Sequence, residues 1–178
     1  AAQTLYAHWT PNAYTVTFDA NGGGDPTFAS TNVTYGQTYG TLPECARAGH
    51  DFAGWYTAKD GGTKVANDTK VAVTADQTLY AHWTAKIYAV QFDANGGSTP
   101  TTSKEVTYGS TYKTLPTPTR MGHTFAGWYT AAAGGERVTE ATTVEITSAQ
   151  TLYAHWTANG YAVTFAANGG ETPEPITK

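Results

Sequence analysis

Apolar and polar residues alternate over short segments of this chain. In the first such segment Val16 and Phe18 alternate with Thr15 and Thr17. A period of two residues is typical of a β-strand with one buried face, because successive side chains point to opposite sides of a sheet. The 3.6-residue spacing of an amphipathic helix is not found over any ten-residue stretch. We therefore predict strands and tight turns with little or no helix.

These segments return at a nearly constant step. The string Leu-Tyr-Ala-His-Trp-Thr begins at Leu5, Leu79 and Leu152, which are 74 and then 73 residues apart. The string Phe-Asp-Ala-Asn-Gly-Gly begins at Phe18 and Phe92. Self-similarity at a fixed period is the signature of a tandem array, so function has to be considered for each repeat separately.

The repeat length predicts the domain organisation. Two complete repeats fit, at residues 14–86 and 87–160. The end of a preceding repeat occupies residues 1–13, and the start of a following repeat occupies residues 161–178. A unit of this size has a small core, which the 12 Tyr, 6 Phe and 5 Trp of the chain could fill.

Local signals place turns and connections within the repeat. Asn21-Gly22 tolerates positive φ at both positions and predicts a turn. Gly36 predicts a bulge or tight bend. The stretch from Leu42 to Gly49 lacks alternation and contains Pro43, so we predict an extended connection or a single short turn there, and not a full helix.

Two further strands follow within each repeat. In the strand from Phe52 to Thr57, strict alternation puts Phe52 and Gly54 on one side and Ala53 and Trp55 on the other. This predicts an inner strand that buries aromatic surface on both faces. The last strand of the repeat has Leu79, Ala81 and Trp83 on one face, with Tyr80 and His82 opposite.

Composition and charge exclude several classes of function. The net charge is −4 and only 13% of residues are charged, which argues against binding to nucleic acid or anionic membranes. No segment approaches the ~20 apolar residues of a membrane span, so no membrane insertion is expected. The single cysteine, Cys45, corresponds to Pro118 in the second repeat, which indicates an incidental thiol without a chemical role.

The order of motifs resembles a known family. Tyr-x-Val-x-Phe-Asp-Ala-Asn-Gly-Gly, Tyr-Gly-x-x-Tyr-x-x-Leu-Pro, Arg-x-Gly-His-x-Phe-x-Gly-Trp-Tyr and Leu-Tyr-Ala-x-Trp follow one another in residues 14–84 and again in residues 88–157. This order is similar to that of the Listeria–Bacteroides repeat, also called the internalin B-repeat. The resemblance implies that the chain is part of a bacterial surface protein. It also implies tandem β-grasp-like (ubiquitin-like) domains of a β-rich α+β class, mainly strands and turns, and no catalytic residues. It also implies an extracellular location, on the bacterial cell surface or secreted.

Several recurring polar residues are candidate ligands. The repeated histidines lack the close spacing of a zinc or copper site, so no metal and no cofactor are expected. Asp19-x-Asn21-x-Gly23 resembles the start of a calcium loop, but the ligand positions that follow are missing, which favours a hairpin turn. Arg47 and Arg120 favour a structural role over recognition of an acidic ligand.

The recurring aromatic residues leave two interpretations open. Rings at Trp55, Trp83 and their equivalents Trp128 and Trp156 either fill the cores or form a surface on which sugars stack. The tyrosines suggested for contact with a glycan or a protein are Tyr56, Tyr129, Tyr80 and Tyr153.

Two functions follow from these interpretations. The first is a non-catalytic stalk or spacer that projects an adhesive or ligand-binding region, with neighbouring repeats of the same chain as its only contacts. The alternative is an adhesin module in which each repeat binds a glycan or a host protein weakly and multivalency supplies the strength. No nucleophile, acid–base pair or phosphate-binding loop indicates an enzyme.

Overall fold

A computed structural model describes residues 3–170 and 176–177. The chain divides into two compact units between Lys86 and Ile87. The outermost ends of the two predicted partial repeats, at residues 1–2, 171–175 and 178, lie outside the described residues.

Unit 1 is built on one mixed sheet. Its strands are β1 (Ala13–Asp19), β2 (Ser30–Thr34), β3 (His50–Tyr56), β4 (Lys64–Val65) and β5 (Gln77–Ala85). They lie in the order β2-β1-β5-β3-β4. The central pair, β1 and β5, is parallel, and the other pairs are antiparallel.

Unit 2 repeats this arrangement. Its strands are β6 (Ile87–Asp93), β7 (Ser103–Thr107), β8 (His123–Tyr129), β9 (Arg137–Val138) and β10 (Gln150–Ala158). They lie in the order β7-β6-β10-β8-β9, again with a parallel central pair. A short antiparallel pair follows, formed by β11 (Ala162–Val163) and β12 (Ile176–Thr177).

The strand content confirms the β-rich prediction. Residues 3–170 contain no helix, so the helical component of the predicted α+β class has no counterpart in the described chain. The long connections are extended instead, because Pro43 and the positive φ of Gly40 and Gly49 interrupt any helical run. The described residues therefore include no helix that could cross a membrane.

Each core lies on one face of its sheet. In unit 1 the strands contribute Val16, Leu79 and Trp55, all at most 1% exposed. The long connections add Tyr39 and Val71, which pack against the same cluster. The equivalent residues of unit 2 form a matching cluster. The faces predicted by alternation for β1 and β5 are confirmed.

Strict alternation fails in β3. The pairing of β3 with β5 shifts between Phe52 and Gly54, and Gly54 has a φ of 129°. This bulge places Phe52 on the same face as Trp55, with the two ring centroids 5.6 Å apart. The prediction that Phe52 and Gly54 share a side was therefore wrong, because the extra residue Ala53 resets the period.

Candidate ligand-contact surface

The tyrosines singled out from the sequence form two cross-strand pairs. Tyr56 on β3 lies opposite Tyr80 on β5, and Tyr129 on β8 lies opposite Tyr153 on β10. All four are half-buried on the sheet face that points away from the core. Each unit thus presents a pair of neighbouring phenol rings on its outer face.

One member of each pair is already stacked within its own unit. The ring of Tyr56 lies parallel to His82 with centroids 3.9 Å apart. His82 is fixed in turn, since its Nε2 lies 2.9 Å from the Ala58 carbonyl oxygen. Tyr129 and His155 repeat the stack at 3.9 Å. One face of Tyr56 and of Tyr129 is therefore occupied.

The other member of each pair differs between the units. In unit 1 the Lys59 ammonium lies 5.6 Å from the centre of the Tyr80 ring and 3.6 Å from Oδ2 of Asp19. In unit 2 the residue equivalent to Lys59 is Ala132. Tyr153 and the carboxylate beside it therefore lack this covering cation.

The Asp-x-Asn-Gly motif is used inside the fold. Asp19 Oδ1 accepts the backbone N–H of Asn21 at 2.8 Å, which closes the turn. The Asn21 amide donates to the carbonyl oxygens of Ala81 and Lys59 at 3.1 and 3.3 Å. Asn21 has a φ of 47°, a conformation that asparagine tolerates better than most residues. The motif joins the turn to β5 and to the loop after β3.

Other signature residues are also held internally. The Trp55 indole donates to the Pro43 carbonyl oxygen at 2.8 Å, and Trp128 donates to Pro116 at the same distance. The guanidinium of Arg120 reaches the Asn95 carbonyl oxygen at 3.3 Å. These contacts anchor the connections that cover each core.

Two buried tyrosines hold the last strand of each unit. The Tyr39 hydroxyl donates to Oε1 of Gln77 at 2.7 Å, and the Tyr112 hydroxyl donates to Oε1 of Gln150 at 2.6 Å. Burial raises the pKa of Tyr39 and of Tyr112 above the ordinary value of about 10. Both hydroxyls thus remain protonated donors at neutral pH.

Metal-ligating side chains and the single thiol do not form a reactive centre among the described residues. Among residues 3–170, no cluster of three His, Cys, Asp or Glu side chains could hold a metal ion. Cys45 packs against the core of unit 1, and burial raises the pKa of its thiol. A raised pKa lowers the thiolate fraction and therefore the reactivity of the thiol.

A cavity beside Tyr153 was not foreseen from the sequence. It has a volume of about 600 Å³ and lies in unit 2, where Asp93, Gln91 and Thr151 join Tyr153 in its wall. A comparison of equivalent positions in the two repeats would have pointed to this region, because the charged residue Lys59 is replaced by Ala132.

Comparisons with known proteins agree with the repeat structure. The family model of the Listeria-Bacteroides repeat domain matches residues 14–82 and again residues 88–155. The chain is 37% identical over 170 residues to a putative Gly-rich membrane protein and 39% identical over 171 residues to a putative membrane protein, both of Evansella cellulosilytica. It is 38% identical over 149 residues to Internalin H of Listeria monocytogenes.

These matches cover most of this chain and a minor part of each relative. They span 93%, 94% and 83% of the chain, but 19%, 24% and 26% of the respective relatives. The chain therefore corresponds to a repeat region within proteins that are several times longer.

Proposed function

Because the chain belongs to the Listeria-Bacteroides repeat domain family, we propose that it is a non-catalytic spacer within a bacterial surface protein. In this role the repeats set the distance between a surface and a ligand-binding region elsewhere in the protein. Internalin H and the two Evansella proteins with "membrane" in their names support a setting at the cell envelope.

The observation that carries this proposal is the internal use of the signature side chains. In both units the Asn of the turn bonds to the last long strand of its own sheet. The two pairs of tryptophans likewise donate their indole N–H groups to carbonyl oxygens of their own unit. Because these side chains hold each unit together, their recurrence in every repeat is explained without a shared ligand.

The junction between the repeats also supports a spacer. Only Lys86 separates the end of β5 at Ala85 from the start of β6 at Ile87. The backbone N–H of Lys86 donates to the Gly49 carbonyl oxygen at 2.9 Å. In unit 2 the equivalent N–H of Asn159 donates to the Gly122 carbonyl oxygen at 2.9 Å. Short junctions that are hydrogen-bonded to the preceding unit support a spacer built from successive repeats.

The sheet order supports a β-grasp relationship as part of the same proposal. Strands in the order β2-β1-β5-β3-β4, with the first and last strands parallel at the centre, are what a β-grasp sheet without its helix would have. A crystal structure of the repeat compared with ubiquitin-like domains tests this assignment.

Small-angle X-ray scattering tests the spacer. Extra copies of residues 14–86 are inserted between the two units, one at a time, and the maximum dimension is measured. We expect a constant increase for each added copy. A compact globule of 178 residues has a radius of gyration of about 16 Å. A measured radius of gyration near this value that grows only slowly with added repeats would overturn the proposal.

The alternative of glycan binding by every repeat has less support. One face of Tyr56 and of Tyr129 is stacked on histidine, and Tyr80 lies under Lys59. A glycan array probed with the 178-residue chain tests it directly. Binding lost only when residues of both units are changed would favour the adhesin over the spacer.

A further inference from the structure

The cavity in unit 2 is an open depression with the volume of a small-molecule site. Its volume of about 600 Å³ falls within the range of roughly 300–1,000 Å³ that is usual for ligand pockets. It lies where β6 ends, beside the first half of β10 and next to the loop of residues 94–102. The parallel pairing of these two strands brings side chains from both to the same place.

Four side chains of the outer face form its floor. Tyr153 lies in register with Asp93, and Thr151 lies in register with Gln91. Neighbouring strands are about 4.8 Å apart, so the four groups are within reach of one small ring. They combine an aromatic face, a carboxylate, a hydroxyl and an amide.

One oxygen of the Asp93 carboxylate is available as a hydrogen-bond acceptor. Its Oδ1 accepts the backbone N–H of Asn95 at 2.8 Å. Its Oδ2 has no hydrogen-bond or ion-pair partner among the residues that the structure describes. A carboxylate oxygen beside an open cavity can accept strong hydrogen bonds from hydroxyl donors.

Unit 1 carries a residue that covers the equivalent position. Lys59 pairs with Asp19 and lies over Tyr80, whereas unit 2 has Ala132 at this position.

The loop beside the cavity also differs between the units. Between Asp93 and Ser103 it is one residue shorter than between Asp19 and Ser30, and it contains no aromatic residue. The aromatic residue of the longer loop, Phe28, packs against the core residue Phe18 with ring centroids 5.6 Å apart. On the outer face, the replacement of Lys59 by Ala132 is therefore the difference that matters.

We infer that this cavity of unit 2 binds a neutral pyranose sugar. The C–H face of the sugar packs on the Tyr153 ring, and two adjacent hydroxyls donate to Asp93. Gln91 and Thr151 supply further hydrogen bonds to the remaining hydroxyls. No lysine or arginine lines the cavity, which disfavours an anionic sugar. This activity is separate from the spacer role.

Binding is tested by NMR titration of the ¹⁵N-labelled 178-residue chain. The probes are the methyl pyranosides of glucose, galactose and mannose, each added to about 50 mM, with methyl glucuronoside and methylammonium as the anionic and cationic alternatives. We expect at least one neutral pyranoside to bind with a Kd of about 1–10 mM. Shifts are expected at Asp93, Asn95 and Tyr153, and not at Asp19 and Tyr80.

Matched variants decide whether the cavity is responsible. Asp93→Asn should weaken binding about tenfold, and Asp19→Asn should leave it unchanged. Ala132→Lys places the covering cation of unit 1 into unit 2 at an exposed position, so it should abolish binding without unfolding the sheet. The unchanged spectrum of the remaining residues verifies the fold of each variant.

Three results would overturn the inference. The first is the absence of shifts with every neutral pyranoside at the highest concentration. The second is equal perturbation of both units. The third is tighter binding of the glucuronoside or of methylammonium than of any neutral sugar. None of these results bears on the scattering test of the spacer.

Discussion

Gly23 lies directly under the indole ring of Trp83. A Cβ on Gly23 would be 2.4 Å from Cζ2 of that ring and 3.1 Å from the Ala46 carbonyl oxygen. The same indole donates its N–H to the Ala20 carbonyl oxygen at 3.0 Å, which fixes the ring over the turn. The second glycine of the Asn-Gly-Gly motif is therefore required by close packing and not by backbone conformation.

We expect Gly23→Ala to destabilise unit 1 by about 1–3 kcal/mol, the usual cost of overpacking a site that cannot move freely. Hydrogen exchange measured segment by segment in the whole chain reports this loss, with unit 2 as the internal reference. Gly24→Ala is the control. Its Cβ would lie 3.5 Å from the Ala46 carbonyl oxygen, an ordinary contact, so exchange should change little. Equal losses for both variants would refute the packing argument.

Asn21 contributes both a backbone conformation and two hydrogen bonds, and two substitutions separate them. Asn21→Gly keeps the positive φ but removes the side-chain bonds to β5 and to the loop after β3, at a cost of about 1–2 kcal/mol. Asn21→Ala removes the bonds and also places at a φ of 47° a residue without asparagine's tolerance of the left-handed region, which adds about 1 kcal/mol relative to glycine.

Urea unfolding followed by tryptophan fluorescence measures this ordering. Asn95→Gly and Asn95→Ala in unit 2 should give the same order, because Asn95 also has a φ of 47° and bonds to Ala154 and Ala132. If alanine were tolerated as well as glycine, the left-handed conformation would not contribute to the choice of asparagine.

The local pattern predicted individual strands and turns but not how they come together. Alternation in β1 and the Asn21-Gly22 dipeptide were sufficient for the first strand and its turn, since both signals depend on neighbouring residues alone. The bulge at Ala53 was missed, because a glycine in a strand does not reveal which residue is extra. The parallel pairing of the first and last strands depends on tertiary packing, so no local signal encodes it.

The candidate surface was predicted in part for a similar reason. Tyr153 was named from its place in the repeat, but its partners Asp93 and Gln91 come from another strand. Their proximity follows from the strand order. The difference between Lys59 and Ala132 was visible in the sequence, and its meaning required knowing that this position lies over the tyrosine.

The buried tyrosines predict loss of stability at high pH. The pKa of Tyr39 is raised in the folded state, so folding favours the protonated hydroxyl. Its stabilising contribution is therefore complete below the unfolded pKa of about 10 and is lost as the pH rises through the folded value. Tyr112 makes the equivalent contribution in unit 2.

Tyr39→Phe tests this dependence. At pH 7 the variant should be less stable by about 1 kcal/mol, because the hydrogen bond to Gln77 is lost. The difference from the unchanged protein should shrink above about pH 10, where only the unchanged protein has this hydroxyl to ionise. Urea unfolding at several pH values measures it. A difference that stayed constant up to pH 12 would mean that the hydroxyl ionises equally in both states.

The bulge in β3 leads to a prediction that separates backbone strain from crowding. A Cβ on Gly54 would lie 2.5 Å from Cε of Lys64, but a lysine side chain can move away at little cost. The φ of 129° cannot be relieved in this way, since the register between Phe52 and Trp83 fixes it. Gly54→Ala should thus cost about 1–3 kcal/mol in free energy of unfolding. Adding Lys64→Ala should recover only a few tenths of this, as a double-mutant cycle by urea unfolding would measure. Full recovery in the double variant would show that Lys64, and not the bulge, requires glycine at this position.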